Sequence, residues 1–265
     1  MPVFSRKLIC ILTAALMPLA HADINLDALQ LIVNNQEISP IPQGWTFGAV
    51  AYAGSSPYQA ASNSVMAIPG AIYIGKQTMY LGDRVLHTLY ENKDFNIYGV
   101  GRFRGGNLNP EDHAEWAGLK QRKWELDAGV GTHIYTPVGL ITARVSSDIS
   151  GRSKGQDALL WFDTPIVREK WAVMPGMGMI WRSKNLANYY YGGVSSEEAT
   201  AAHPAYDVGS TLSLSASLVM TYRFSRHWLG GIVLAAERYP DAIKSSPLIN
   251  KKGEYDLLMG VGYVW

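Results

Sequence analysis

Residues 210–224 read STLSLSASLVMTYRF, and every second one is apolar: Leu212, Leu214, Ala216, Leu218, Met220, Tyr222 and Phe224. Between them stand Thr211, Ser213, Ser215, Ser217, Thr221 and Arg223, small or polar. A period of two is the period of a β-strand, whose successive side chains point to opposite faces. One face of this strand therefore meets oil and the other meets water. A soluble sheet and a membrane barrel both satisfy that condition, and the rest of the chain decides between them.

The same pattern recurs. In DFNIYGVGRFR (94–104), Phe95, Ile97 and Phe103 oppose Asn96, Arg102 and Arg104. In KWELDAGVGTHIY (123–135), Trp124, Leu126, Ala128, Val130 and Ile134 oppose Lys123, Glu125, Asp127 and His133. In GLITARVSSD (139–148), Ile141, Ala143 and Val145 oppose Thr142, Arg144, Ser146 and Asp148. The closing EYDLLMGVGYVW sets Tyr255, Leu257, Met259, Val261, Tyr263 and Trp265 against Glu254, Asp256 and glycines. Strands are expected near 45–54, 65–75, 77–82, 84–91, 94–105, 121–136, 138–149, 157–166, 169–182, 208–224, 227–239 and 253–265. That is about twelve, with ten as the fallback count, because 77–91 reads either as two short strands or as one kinked at Gly82. Short connectors alternate with long ones, as the turns and loops of outer-membrane barrels do.

Composition agrees with this reading. Of 265 residues 48% are hydrophobic, yet only 17% are charged, and Gly (26), Tyr (15) and Trp (8) are abundant. Mean hydropathy lies near zero, which does not suit a bundle of membrane helices. After residue 22 no apolar run approaches the roughly 18 residues that a membrane helix needs. A chain that crosses lipid as strands must close its sheet, because lipid satisfies no backbone donor or acceptor. A secreted β-sandwich also alternates, but its polar faces would carry dense Lys and Glu, not Ser, Gly and Arg. The expected fold is therefore all-β: a transmembrane antiparallel barrel over 44–265, with short periplasmic turns and longer extracellular loops.

The first 22 residues read as a cleaved signal peptide, with Arg6 and Lys7 before an apolar core and Ala20-His21-Ala22 as the cleavage site. The only cysteine, Cys10, would leave with it. Residues 23–43 are expected to form a periplasmic leader. A formal net charge of +1 gives no support to a nucleic-acid partner.

No metal or cofactor is expected: His87, His113, His203 and His227 lack ligand spacing. His133 shares the inward face with Glu125 and Asp127, an arrangement a barrel lipid hydrolase would need, yet a hydrogen-bonding role in the lumen is the simpler reading. The inward set Arg102, Arg104, Lys123, Glu125, Asp127, Arg144 and Asp148 is expected to pair across strands as a lumen network. It would plug a narrow barrel or, alternatively, line a small-solute channel. Tyr189, Tyr190 and Tyr191 are a candidate loop contact or a folded lid. Tyr263 and Trp265 end the chain with aromatics in phase, as a barrel-assembly signal does.

Three stretches resemble the MipA/OmpV family of outer-membrane proteins: Tyr190-Tyr191-Gly192 with Val194-Ser195, Glu198-Ala199 and Tyr206; Leu214–Tyr222, Ser225–Trp228 and Ser246-Pro247-Leu248; and the terminal Gly260–Trp265. Ala53-Gly54-Ser55 with Pro57-Tyr58, and Gly101-Arg102, add to it. Gly193 splits the usual Tyr-Gly-Val-Ser run, Ser245 replaces an aspartate, and Trp265 replaces a commoner phenylalanine. The resemblance implies a Gram-negative outer-membrane location among outer-membrane lipids and a non-enzymatic role in the cell envelope. It further implies a scaffold between a murein-cleaving lytic transglycosylase and a bifunctional penicillin-binding protein that synthesises murein. It supplies no catalytic residues.

Overall fold

The structure is a computed structural model that describes residues 25–29, 40–61 and 63–265. The expected signal peptide and most of the leader lie outside the described residues. The strands are β1 (Gly44–Gly54), β2 (Ser64–Ile74), β3 (Thr78–Tyr80), β4 (Arg84–Glu91), β5 (Phe95–Arg104), β6 (Glu125–Thr136), β7 (Gly139–Asp148), β8 (Gln156–Asp163), β9 (Ile166–Val167), β10 (Trp171–Arg182), β11 (Thr211–Arg223), β12 (Trp228–Arg238) and β13 (Gly253–Val264). Neighbours pair antiparallel, and β10–β11 pairing closes the ring. Both β8 and β9 lie against β10, so the thirteen strands occupy twelve places around the wall. The barrel that alternation predicted is present, with the expected twelve-place circumference.

The stretch that opened the sequence is β11. Thr211, Ser213 and Ser217 are buried in the lumen, while Leu212 and Leu214 are more than half exposed on the outer wall. Trp45, Phe47, Tyr222, Phe224, Trp228, Tyr263 and Trp265 stand exposed at the short-turn end. Tyr263 contacts both Trp228 and Trp265 edge to face there. Such a ring of amphipathic aromatics marks the level of lipid headgroups.

Long connectors collect at the opposite end and fold together. They carry helices α1 (Lys184–Tyr190) and α2 (Asp241–Lys244), which period-two reading did not detect. Tyr58, Leu108, Trp116, Leu119, Leu186, Tyr190, Tyr191, Val194, Tyr239 and Ile243 form a buried core across these loops. The long loops thus form a lid with its own packing, not free arms.

Two places depart from expectation. The third strand, expected over 77–82, shrinks to Thr78–Tyr80. Gly82 turns the chain back there with φ +92°, a conformation that suits glycine. The leader, expected as a periplasmic arm, instead places Asn25–Leu29 inside the barrel. Ala28 is wholly buried in a cluster with Ile41 of the leader and with Ile74, Met79, Leu86, Tyr98, Leu140, Met174 and Val219 from the wall, and Leu26 and Leu29 pack against it. This cluster floors the lumen at the short-turn end.

Candidate functional site: a plugged lumen

Asp27 is the anchor of the plug. Its carboxylate accepts from Arg84 at 3.1 Å, from Arg144 at 2.8 Å and from the Tyr98 hydroxyl at 2.9 Å. Asp27 is fully buried, and both arginines are 5% exposed or less. Two residues earlier, Asn25 donates to Asp163 at 3.0 Å and to Thr142 at 3.4 Å. β4, β5, β7 and β8 thus all grip Asn25 and Asp27. A buried charge survives only when paired and hydrogen-bonded, and here each side of the contact satisfies the other.

A charged belt lies above the plug, where the strands meet the long loops. Arg102 reaches Asp127 at 2.8 Å and also Asp157. Arg104 reaches Glu125 at 3.2 Å, Asp127 at 3.1 Å and Asp157 at 2.9 Å. Ser146 donates to Asp157 as well. On the other side of the ring, Arg182 makes a two-pronged pair with Glu237, at 2.6 and 2.8 Å, with neither exposed. The planar guanidinium matches a carboxylate in this way and fixes its direction.

Of the seven residues expected to pair across strands, the structure brings four into one ion-pair cluster. Arg102, Arg104, Glu125 and Asp127 meet in one cluster, while Arg144 turns to Asp27 instead. Lys123 does not join: it precedes β6, its side chain is exposed, and only its backbone is engaged, donating to the Tyr189 hydroxyl at 2.9 Å. Asp148 lies beside Glu125 and Asp127, the three carboxylates within 4.8 Å of one another. It spends its oxygens on loop amides, at 2.7 Å from Ser150 and 2.8 Å from Lys154. Arg104 pairs with Glu125, and Arg102 and Arg104 share Asp127. Sequence reading missed Asp27, Arg84, Asp157, Arg182 and Glu237. Asp157 and Asp163 fall in phase with Leu159 and Trp161 on β8, and those apolar inward residues hide the polar face.

The tyrosines pack into the lid. Tyr190 and Tyr191 are buried, and Tyr189 half-buried. The Tyr190 hydroxyl donates to the Lys123 carbonyl at 2.7 Å, and Tyr58 donates to the Tyr190 carbonyl at 2.9 Å. Below them, the Arg182 guanidinium sits 4.2 Å from the Tyr191 ring centre, a cation–π contact strengthened by the burial of both groups. The lid is thereby bonded to the belt.

His133 is buried in the lumen, its Nδ1 3.0 Å from Asn96 Oδ1 and its ring stacked on Tyr98 at 4.6 Å. These contacts are those of a structural histidine.

The lid has its own acid-sensitive tie. Glu198 is buried between Arg122 at 2.9 Å, the Lys120 amide at 2.7 Å and the Ser195 hydroxyl at 2.8 Å. Burial opposes its ionisation, but the Lys120 and Ser195 bonds and the Arg122 charge outweigh that and lower its pKa. A lowered folded pKa contributes stability that is whole above the ordinary glutamate value of 4.5 and is lost as pH falls through the folded value. Hydrogen exchange at the Lys120 and Ser195 amides, corrected for intrinsic rate, should therefore quicken as pH falls below the ordinary glutamate value of 4.5. Glu198→Gln should show the quickened exchange already at pH 7.

Residues 47–265 match the family model described as MltA-interacting protein MipA. The outer membrane protein YiaT of Escherichia coli (strain K12) is 23% identical over 224 residues, covering 82% of this chain and 89% of its own. The MltA-interacting protein of Escherichia coli (strain K12) is 26% identical over 148 residues, covering 55% of this chain and 58% of its own. Among solved structures, the translocator domain of autotransporter NalP from Neisseria meningitidis aligns over 91% of this chain and 95% of its own, at 10% identity and TM-score 0.44.

Proposed function

This chain belongs to the MltA-interacting protein MipA family of outer-membrane proteins, and from that premise we propose that it is a closed, non-enzymatic barrel that docks murein-cleaving and murein-synthesising enzymes. The observation that carries the reading is the state of the lumen. Asn25–Leu29 block it at the short-turn end, and the loop core seals the other end. A barrel plugged at both levels suits holding a partner better than passing a solute. The partner in this reading is the kind of enzyme that the family name specifies, a murein hydrolase, together with a murein synthase.

Since Asn25 and Asp27 are occupied inside the barrel, the docking face falls to the short turns. These are exposed at Lys76, Lys93, Arg168, Lys170 and Arg226, against acidic Glu91, Asp94 and Glu169. The balance is positive, and opposite charge on a partner would speed encounter and fix orientation. The purified barrel should retain a murein hydrolase from periplasmic extract. Charge reversal at Arg168 and Lys170 together should cut retention about tenfold at low salt, a coupling of about 1.4 kcal/mol. An extract that yields no murein enzyme contradicts the proposal.

A second reading, a small-solute channel, is favoured by one feature: the obstruction is a piece of the leader and not a strand of the wall.

A further inference from the structure

The lumen has two unlike halves. The β4–β8 side carries the arginines and carboxylates. The β11–β2 side carries Val219, Leu229, Gly231, Val233, Leu258, Gly260, Gly48, Val50, Ile68, Gly70 and Ile72, and these surround a cavity of about 210 Å³. Leu26, Leu29 and Ile41 also line it. A barrel lumen is ordinarily polar because water fills it, so an apolar chamber here is unexpected.

The wall beside this chamber is incomplete. β2 pairs with β3 only at Tyr73–Tyr80 and Ile74–Met79. Along Ser64–Ile72 its second edge meets no strand among the described residues, and Pro69 stands in the middle of it. Proline cannot donate to a ladder, so it is tolerated on such an edge. The β3–β4 turn stops at Leu81-Gly82 and leaves a notch above it. Ile68, Gly70, Ala71 and Ile72 on one lip, and Leu81 and Gly82 on the other, all line the chamber. Val65, on the outer face of the free edge, is 82% exposed. The notch therefore connects hydrocarbon outside with an apolar space inside.

We propose that this chamber is a binding site for an uncharged hydrocarbon group about the size of a substituted benzene ring, which enters from the bilayer through the notch between β2 and the β3–β4 turn. Its size and chemistry set the ligand. A dry cavity of about 150 Å³ lined by Leu, Ile and Phe binds benzene, and this one is somewhat larger. Charged groups are disfavoured because none lines the chamber among the described residues. The same chemistry is offered by a free apolar solute and by the end of a lipid tail.

The test is methyl NMR of the barrel in dimyristoylphosphatidylcholine nanodiscs, with toluene as the probe. Saturable shifts are expected at the Ile68, Ile72 and Val233 methyls. Gly231→Val should weaken them at least tenfold, since a Cβ there meets only the Met220 carbonyl oxygen, at 3.5 Å, and its methyls would fill the chamber. Val233→Phe is a second blocking variant should the first fail to fold. Phosphatidylcholine spin-labelled at the tail end separates the sources. Broadening of those methyls without toluene, reversed by toluene, assigns a lipid tail; toluene shifts without such broadening assign a free solute. Absence of both responses, or toluene shifts unchanged in both variants, overturns the proposal.

Discussion

Asp27→Ala should both open and weaken the barrel. In planar bilayers the wild-type protein is expected to be silent and the variant to show step conductance. The reason is the number of groups that depend on one carboxylate. Arg144 and Arg84 reach it at 2.8 and 3.1 Å, and Tyr98 at 2.9 Å, all of them buried. Arg84 keeps Asp83 as a partner at 2.7 Å, but Arg144 has no other carboxylate in reach among the described ion pairs. Removing one member of a buried pair costs about 3–5 kcal/mol, because the remaining charge is left in a poor solvent. The cheapest relief is for water to enter and solvate the two guanidiniums. The buried guanidiniums lie against the plug, so the same event that lowers the urea midpoint should displace Asn25–Leu29. Asp27→Asn separates the causes: it keeps the shape and part of the hydrogen bonding, so its conductance should be smaller than that of the alanine variant. A silent bilayer with an unshifted midpoint would remove the plug from the account of function.

The wall was legible in the sequence because lipid enforces it residue by residue. β5, β6 and β7 each show one apolar and one mostly polar face, and β11 does so without a break until Val219, which turns inward toward the apolar chamber. The lumen was legible only where charge repeats along one strand, as in Arg102 and Arg104 or Glu125 and Asp127. Asp27 was not, since its partners lie 57 and 117 positions away and nothing local marks a leader aspartate as buried. Residues 77–91 resisted for a physical reason too. A three-residue strand carries no period, and the turn at Gly82 ends it before one can form. The tyrosines at 189–191 read either as a loop contact or as a lid, because density of aromatics marks binding sites and lid cores alike; only the packing of Tyr58, Trp116 and Ile243 around Tyr190 and Tyr191 places these two in a lid core.

Arg182→Met tests the other half of the lumen, and a large loss of stability is expected there. Arg182 ties Glu237 through two bonds, to Ser213 at 3.1 Å, and lies under Tyr191. Glu237 stands opposite Glu254 across the β12–β13 ladder, and both are buried. Without the guanidinium, two carboxylates would face each other where like charges opposite one another destabilise a sheet. Breaking the pair from this side should therefore cost at least the roughly 3–5 kcal/mol of a lone buried charge. It should also free the lid, because Tyr191 loses the cation beneath its ring. Two readouts distinguish these effects. The urea midpoint of the folded barrel reports the wall, and protease cleavage within 183–210 reports the lid. Arg182→Met with Glu237→Gln removes one of the facing charges and should recover most of the midpoint, while cleavage of the lid stays fast. If the double variant is no more stable than the single one, the cost lies in lost packing of the arginine stem, and the charge pair is not what holds this side of the belt to the loops.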